Sequence, residues 1–139
     1  MNILIVDDHM IIRRGLVQIL EEFEGRFTTD QAQDGVQALQ KLRSAPFDAM
    51  LLDVALGERD GFDVLKSVRS EFPGIGVVML SVYPEAQFAL RAIRSGANAY
   101  LNKGCSPVEL IQALEMACKG QVYLTPSTAN LMANDLRKP

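Results

Sequence analysis

Only two cysteines, Cys105 and Cys118, occur in the 139 residues. Their spacing fits neither a metal-binding pair nor a disulfide framework, so a reducing, cytoplasmic setting is expected. Long apolar runs are missing too: none approaches the roughly 18–20 residues that cross a bilayer. The start of the chain carries no basic region or cleavage site of a secretory leader. Excess positive charge is absent, with a net charge of −3 and a pI near 5.1. The phosphate electrostatics that dominate nucleic-acid affinity therefore offer this stretch nothing. Neither G-x-G-x-x-G nor G-x-x-x-x-G-K-[ST] follows any strand-like run, which argues against a nucleotide-binding fold. What is present, 48% hydrophobic and 22% charged residues, suits one globular domain with a single sizeable core.

Short apolar runs alternate with longer amphipathic stretches. Strands are expected at residues 2–6, 27–32, 49–53, 76–81 and 99–101. The first, third and fourth are almost continuously apolar, as strands covered on both faces of a parallel sheet are. Helical spacing marks residues 11–23, through Ile12, Leu16, Ile19, Leu20 and Phe23, and residues 35–43, through Val36, Leu39 and Leu42. It continues in residues 62–72, through Phe62, Leu65, Val68 and Phe72, and in residues 84–95, opened by Pro84 and stopped by Gly96. Ser106-Pro107-Val108-Glu109 is an N-cap, a first-turn proline and a capping-box glutamate in order, and Gly120 closes that helix. Five βα repeats of this kind predict an α/β fold, a doubly wound parallel sheet with helices on both faces. Beyond residue 120 the pattern changes. Val122-Tyr123-Leu124 is extended, and Thr125-Pro126-Ser127 opens one last weak helix, so residues 121–139 read as a linker leading onward from a domain of residues 1–120.

In such sheets ligands collect at the carboxyl ends of the strands. Asp7 and Asp8 end the first strand, Asp53 the third and Ser81 the fourth, with Lys103 just after the fifth. Three carboxylates crowded on one rim raise each other's pKa values unless a cation is present, and Mg²⁺ or Mn²⁺ suits such oxygen donors. Asp53, fixed by the strand behind it, is placed to act as a nucleophile toward a phosphoryl group, and Lys103 to neutralise charge on that group. For Ser81 the choice is between capping the next helix and donating to a phosphoryl oxygen. For Asp7-Asp8 taken alone, the alternative is a solvated turn. His9, the one histidine, reads as a loop residue beside the acidic pair rather than a relay group. Cys105 reads as a small packed thiol, and Tyr100 either as edge-strand packing or as a rotamer switch.

Asp7-Asp8, Asp53, Ser81 and Lys103, in this order and on these strands, resemble the marker positions of response-regulator receiver domains over about residues 1 to 120. Val6-Asp7-Asp8-His9, Arg14-Gly15-Leu16, Ser95-Gly96-Ala97, Tyr100-Leu101-Asn102-Lys103-Gly104 and Tyr123-Leu124-Thr125-Pro126 are similar to the NarL/FixJ (LuxR-type) subfamily. The resemblance implies a flavodoxin-like sheet of strand order 2-1-3-4-5 and phosphorylation of Asp53 by a sensor histidine kinase. It implies Mg²⁺ held by Asp8, Asp53 and the Ala55 carbonyl, with Asp7 acting partly through water. A switch of Ser81 and Tyr100 would follow, with homodimerisation, and DNA would be contacted only through a C-terminal helix-turn-helix beyond this chain. Such a module catalyses its own phosphorylation but is not otherwise an enzyme. The competing reading is an aspartyl-phosphate phosphatase or phosphotransferase, which needs a second acid two residues past the nucleophile; Ala55 stands there. Gly57 and Gly104 replace prolines that many members of the family carry.

Overall fold

The computed structural model describes residues 1–23, 25–56 and 59–138. Gly57, one of the two departures from the family pattern, lies outside them, as does Pro139. At Gly104, the other, the chain runs on through a trans bond, no peptide being cis among the described residues. The Gly104 N–H donates to Asn102 Oδ1 at 2.8 Å.

Five strands form one parallel sheet: β1 (Asn2–Val6), β2 (Thr28–Ala32), β3 (Ala49–Asp53), β4 (Gly76–Ser81) and β5 (Ala99–Asn102). Their spatial order is β2-β1-β3-β4-β5, the expected arrangement. A two-residue antiparallel ribbon, Ala55–Leu56 against Arg59–Asp60, follows β3. Six helices accompany the strands: α1 (Met10–Glu21), α2 (Gly35–Ser44), α3 (Gly61–Glu71), α4 (Glu85–Arg94), α5 (Pro107–Cys118) and α6 (Pro126–Leu136).

The continuous apolar runs split by alternation into two cores, because successive strand side chains point to opposite faces. Leu4, Val6, Met50, Leu52, Val77 and Met79 pack on one face with α2, α3 and α4. Ile3, Ile5, Leu51, Val78, Leu80 and Leu101 pack on the other with α1 and α5. Ile12 and Val36, expected on buried helix stripes, are instead exposed. Each lies in the first turn of a helix, and a helix that follows a strand begins at the sheet's carboxyl edge. Its first turn has little sheet to lie on.

Helix ends follow the chemistry of the sequence. Ser106 Oγ accepts from the Glu109 N–H at 3.1 Å, and Asp34 and Asp60 cap α2 and α3 in the same way. Gly96 and Gly120, at φ +103° and +74°, take the left-handed turn that stops α4 and α5. Arg69 is less expected. Its guanidinium donates to the carbonyls of Gly96 and Ile75 and, at 2.8 Å, to Asn98 Oδ1. Asn98 also accepts from the Val77 N–H and donates to the Gln121 carbonyl. One half-buried cation thus knots α3, β4, β5 and the segment after α5.

Residues after Gly120 do not leave the domain. Tyr123 donates through its hydroxyl to Glu109 on α5 at 2.8 Å, and α6 lies against α4. At the near end Glu85 accepts from Thr125 Oγ1 at 2.9 Å and from Thr128 Oγ1 at 3.4 Å. At the far end Arg94 pairs with Asp135. Both threonines are buried, so removing their acceptor costs about 1–3 kcal/mol. Glu85→Ala should therefore loosen α6 selectively. Amide hydrogen exchange within residues 126–136 is expected to speed up roughly tenfold or more, while exchange in β1, β3 and β4 stays as in the parent chain.

Candidate functional site

The sheet order sets the carboxyl ends of β1 and β3 side by side. The long side chain of Lys103, just after β5, reaches along the same rim to them, bringing Asp7, Asp53 and Lys103 together. Asp7 and Asp53 are buried, at 2% and 5% exposure. Lys103 Nζ lies 3.0 Å from Asp7 Oδ2 and 3.1 Å from Asp53 Oδ2, bridging the two acids. The second oxygen of Asp53, Oδ1, accepts from the Ala55 N–H at 3.3 Å. Asp7 Oδ1 accepts from the backbone N–H of His9 at 2.8 Å. Asp8 is more open and contacts His9, whose Nδ1 stands 2.9 Å from Asp8 Oδ1 and 3.1 Å from Asp7 Oδ1.

Burial drives the Asp53 carboxyl above its usual range, the Asp7 charge adds to this, and Lys103 with the Ala55 N–H only partly oppose it. Burial lowers the Lys103 ammonium, but its bonds to Asp7 and Asp53 outweigh that and hold it above the usual lysine range. The rim thus carries more negative charge than one lysine compensates. One oxygen or nitrogen each from Asp7, Asp8, His9 and Asp53 all lie within 4.8 Å of one another. A hard divalent cation fits that donor set and would relieve the repulsion.

Ser81, at the end of β4, is buried, and its hydroxyl accepts from the Tyr83 N–H at 2.9 Å. Tyr100 is turned inward with 2% exposure, and its hydroxyl donates to the Tyr83 carbonyl at 3.0 Å. Burial pushes that phenol upward. Of the residues expected at the site, Asp7, Asp8, Asp53 and Lys103 are gathered with Ala55 beside them. Ser81 and Tyr100 form a separate pair of contacts around Tyr83. Cys105 is a half-buried thiol whose pKa burial raises, an environment that disfavours the reactive thiolate.

Two contributors escaped the sequence reading. His9 was placed near the acids but given no part in holding a cation. Gly61 opens α3 directly behind β3, where its N–H donates to the Val54 carbonyl at 2.7 Å. A Cβ there would stand 2.8 Å from the Val54 carbonyl oxygen and closer still to that of Asp53. A glycine just after the N-cap Asp60 was the available signal.

The family model described as response regulator receiver domain matches residues 3–115. The chain is similar to the response regulator GacA of Pseudomonas viridiflava, 32% identical over 132 residues, covering 95% of this chain and 62% of GacA. It is similar to the response regulator UvrY of Escherichia coli at 30% identity, covering 95% of this chain and 61% of UvrY. The chain therefore spans about three fifths of the length of these curated relatives. Among solved structures, a LuxR-family two-component response regulator from Aurantimonas superposes with a TM-score of 0.85 at 26% identity, covering 99% of this chain and 98% of that one.

Two outcomes follow from the geometry. Because the Asp53 carboxyl titrates higher folded than unfolded, the native state binds this proton more readily. Stability is then lost as pH rises from the unfolded carboxyl range through the folded value. Asp53→Asn should be more stable than the parent at neutral pH without divalent ions, and urea titrations should show the gap closing toward acid pH. Gly61→Ala forces the ribbon behind Asp53 to shift, and chemical denaturation should register a loss of roughly 1–3 kcal/mol.

Proposed function

The chain belongs to the response regulator receiver domain family, and from that premise we propose that Asp53 accepts a phosphoryl group from a sensor histidine kinase. The observation that carries this is the buried carboxylate of Asp53 at the end of β3, held 3.1 Å from Lys103. In the transfer the P–N bond of a phosphohistidine breaks and a P–O bond to Asp53 forms. The electron pair returns to the imidazole of the donor. Little covalent chemistry is asked of the protein beyond position and charge. The Ala55 N–H orients Asp53 through Oδ1, Lys103 offers its ammonium to the incoming oxygens, and burial keeps water from the carboxylate. A divalent cation, Mg²⁺ or Mn²⁺, would be held by Asp7, Asp8, Asp53 and the Ala55 carbonyl and would neutralise phosphoryl charge.

The switch lies in the stretch from Ser81 to Glu85. A phosphate oxygen on Asp53 would accept from the Ser81 hydroxyl, and drawing that hydroxyl toward the phosphate would pull it away from the Tyr83 N–H that now donates to it. Tyr83 is also where Tyr100 is anchored, and two residues on, Glu85 holds Thr125 and Thr128 of α6. Phosphorylation would thus loosen the start of α4 and, through it, the docking of α6. Residues 1–120 are the receiver, and residues 121–139 connect it to an output domain. The curated relatives are longer than this chain, as such an arrangement requires. In this reading the full protein works in the cytoplasm as a phosphorylation-dependent homodimer. DNA is contacted only through a C-terminal helix-turn-helix. No described helix is long and apolar enough to cross a membrane.

The competing phosphatase reading fares poorly, because Ala55 occupies the position of the required second acid. Incubation with a small phosphodonor and Mg²⁺ should add one phosphoryl group by intact mass, and chelation or Asp53→Asn should abolish it. Equal labelling of Asp53→Asn would move the acceptor elsewhere. In Ser81→Ala, labelling should persist while phosphorylation no longer accelerates amide exchange in α6. A full response in that variant would remove Ser81 from the relay.

A further inference from the structure

We propose that His9 is a further ligand of the cation site, adding an imidazole nitrogen that makes the site favour Mn²⁺ and similar transition ions relative to Mg²⁺. This rests on the reading that Asp7, Asp8 and Asp53 hold a divalent cation. His9 occupies the N-cap of α1, yet its side chain makes no capping bond. The ring turns instead to the acids, with Nδ1 at 3.1 Å from Asp7 Oδ1 and 2.9 Å from Asp8 Oδ1. In an octahedral shell with bonds of about 2.1 Å, adjacent donors stand about 3.0 Å apart. Both spacings match one edge of such a shell.

The division of oxygens supports the same assignment. Lys103 takes Oδ2 of Asp7 and Oδ2 of Asp53, so it lies on the opposite side of Asp7 from His9. Asp7 Oδ1 is left facing the imidazole. The ring is mostly exposed, and it can close on an ion without disturbing the core. The chemical consequence concerns choice of metal. Carboxylate, carbonyl and water suit Mg²⁺ and Mn²⁺ alike, whereas imidazole adds affinity for transition ions and little for Mg²⁺. A hydrogen bond from Nδ1–H to the same carboxylates gives similar spacings, but it uses the proton where ligation uses the lone pair. The two arrangements exclude each other.

Titration of the whole chain with Mn²⁺, followed by electron spin echo envelope modulation of the bound ion, separates them. Ligation gives nitrogen modulation of a directly bound imidazole, which changes when the histidine is ¹⁵N-labelled and disappears in His9→Gln. In that variant Mn²⁺ affinity should fall about tenfold, and Mg²⁺ affinity should change by roughly twofold or less. Bound Mn²⁺ without nitrogen coupling, or an unchanged ratio of Mn²⁺ to Mg²⁺ affinity in His9→Gln, overturns the assignment of His9 and leaves the acidic site standing. Failure of the parent chain to bind either ion overturns both.

Discussion

Lys103 holds the rim together. Its ammonium joins Asp7 and Asp53, residues from the ends of β1 and β3, and it reaches Asp7 across 96 positions of sequence. Two buried carboxylates at such range could not both stay ionised without it. The order β2-β1-β3-β4-β5 is what makes the bridge possible. It seats β3 between β1 and β4, and β5 beside β4, so all these strands end on one rim and the lysine after the last reaches along it to the acids of β1 and β3. Compensation is incomplete: burial first and the Asp7 charge second raise the Asp53 carboxyl, and Lys103 only partly opposes them. In the proposed function, a site left short of positive charge in this way suits a cation and the anionic group it would accompany.

Most of this rim was legible in the amino-acid sequence, because parallel topology carries strand ends to one edge whatever the intervening helices are. Asp7, Asp8 and Asp53 each follow a nearly continuous apolar run, as covered strands do, and Lys103 follows a shorter strand in the same repeat. The cores were legible for the same reason, since alternation along β1, β3 and β4 divides them between two helix layers. The details that escaped depend on contacts between single residues with no periodic signature. Arg69 and Asn98 sit in helix and strand patterns that would read identically without their mutual bond. Ile12 and Val36 kept the helical period, but period alone does not say how far the sheet extends beneath a first turn. Lys103 was read as a partner for an anion, and in the fold it is first a partner for Asp7.

The segment after Gly120 shows the same limit from another side. Its composition suggested a short extended piece and a weak helix leading away; the helix forms, while residues 121–125 join no strand. Their destination could not be read, because it rests on hydroxyls meeting one carboxylate. Thr125 and Thr128 are buried against Glu85, and Tyr123 is tied to Glu109. These are polar contacts of modest individual strength. They hold α6 in place without making it part of either hydrophobic core, which is the condition under which a helix can be released without unfolding the domain.

The position of Glu85 gives that condition its significance. Ser81, Tyr83 and Glu85 are alternate residues on one short connection between β4 and α4. They meet, in turn, the Tyr83 N–H, the inward Tyr100 and the threonines at the start of α6. A perturbation at Ser81 has only two peptide units to travel before it meets Tyr83, and two more before it meets the acceptor that secures α6. No long chain of packed side chains is required, and the sheet itself need not deform. In the proposed function the rigid part of the molecule would position the chemistry, and the response would be confined to a connection whose bonds are individually weak enough to exchange partners. A single phosphate on Asp53 need then only draw one hydroxyl away from the backbone N–H it now accepts from to begin the change.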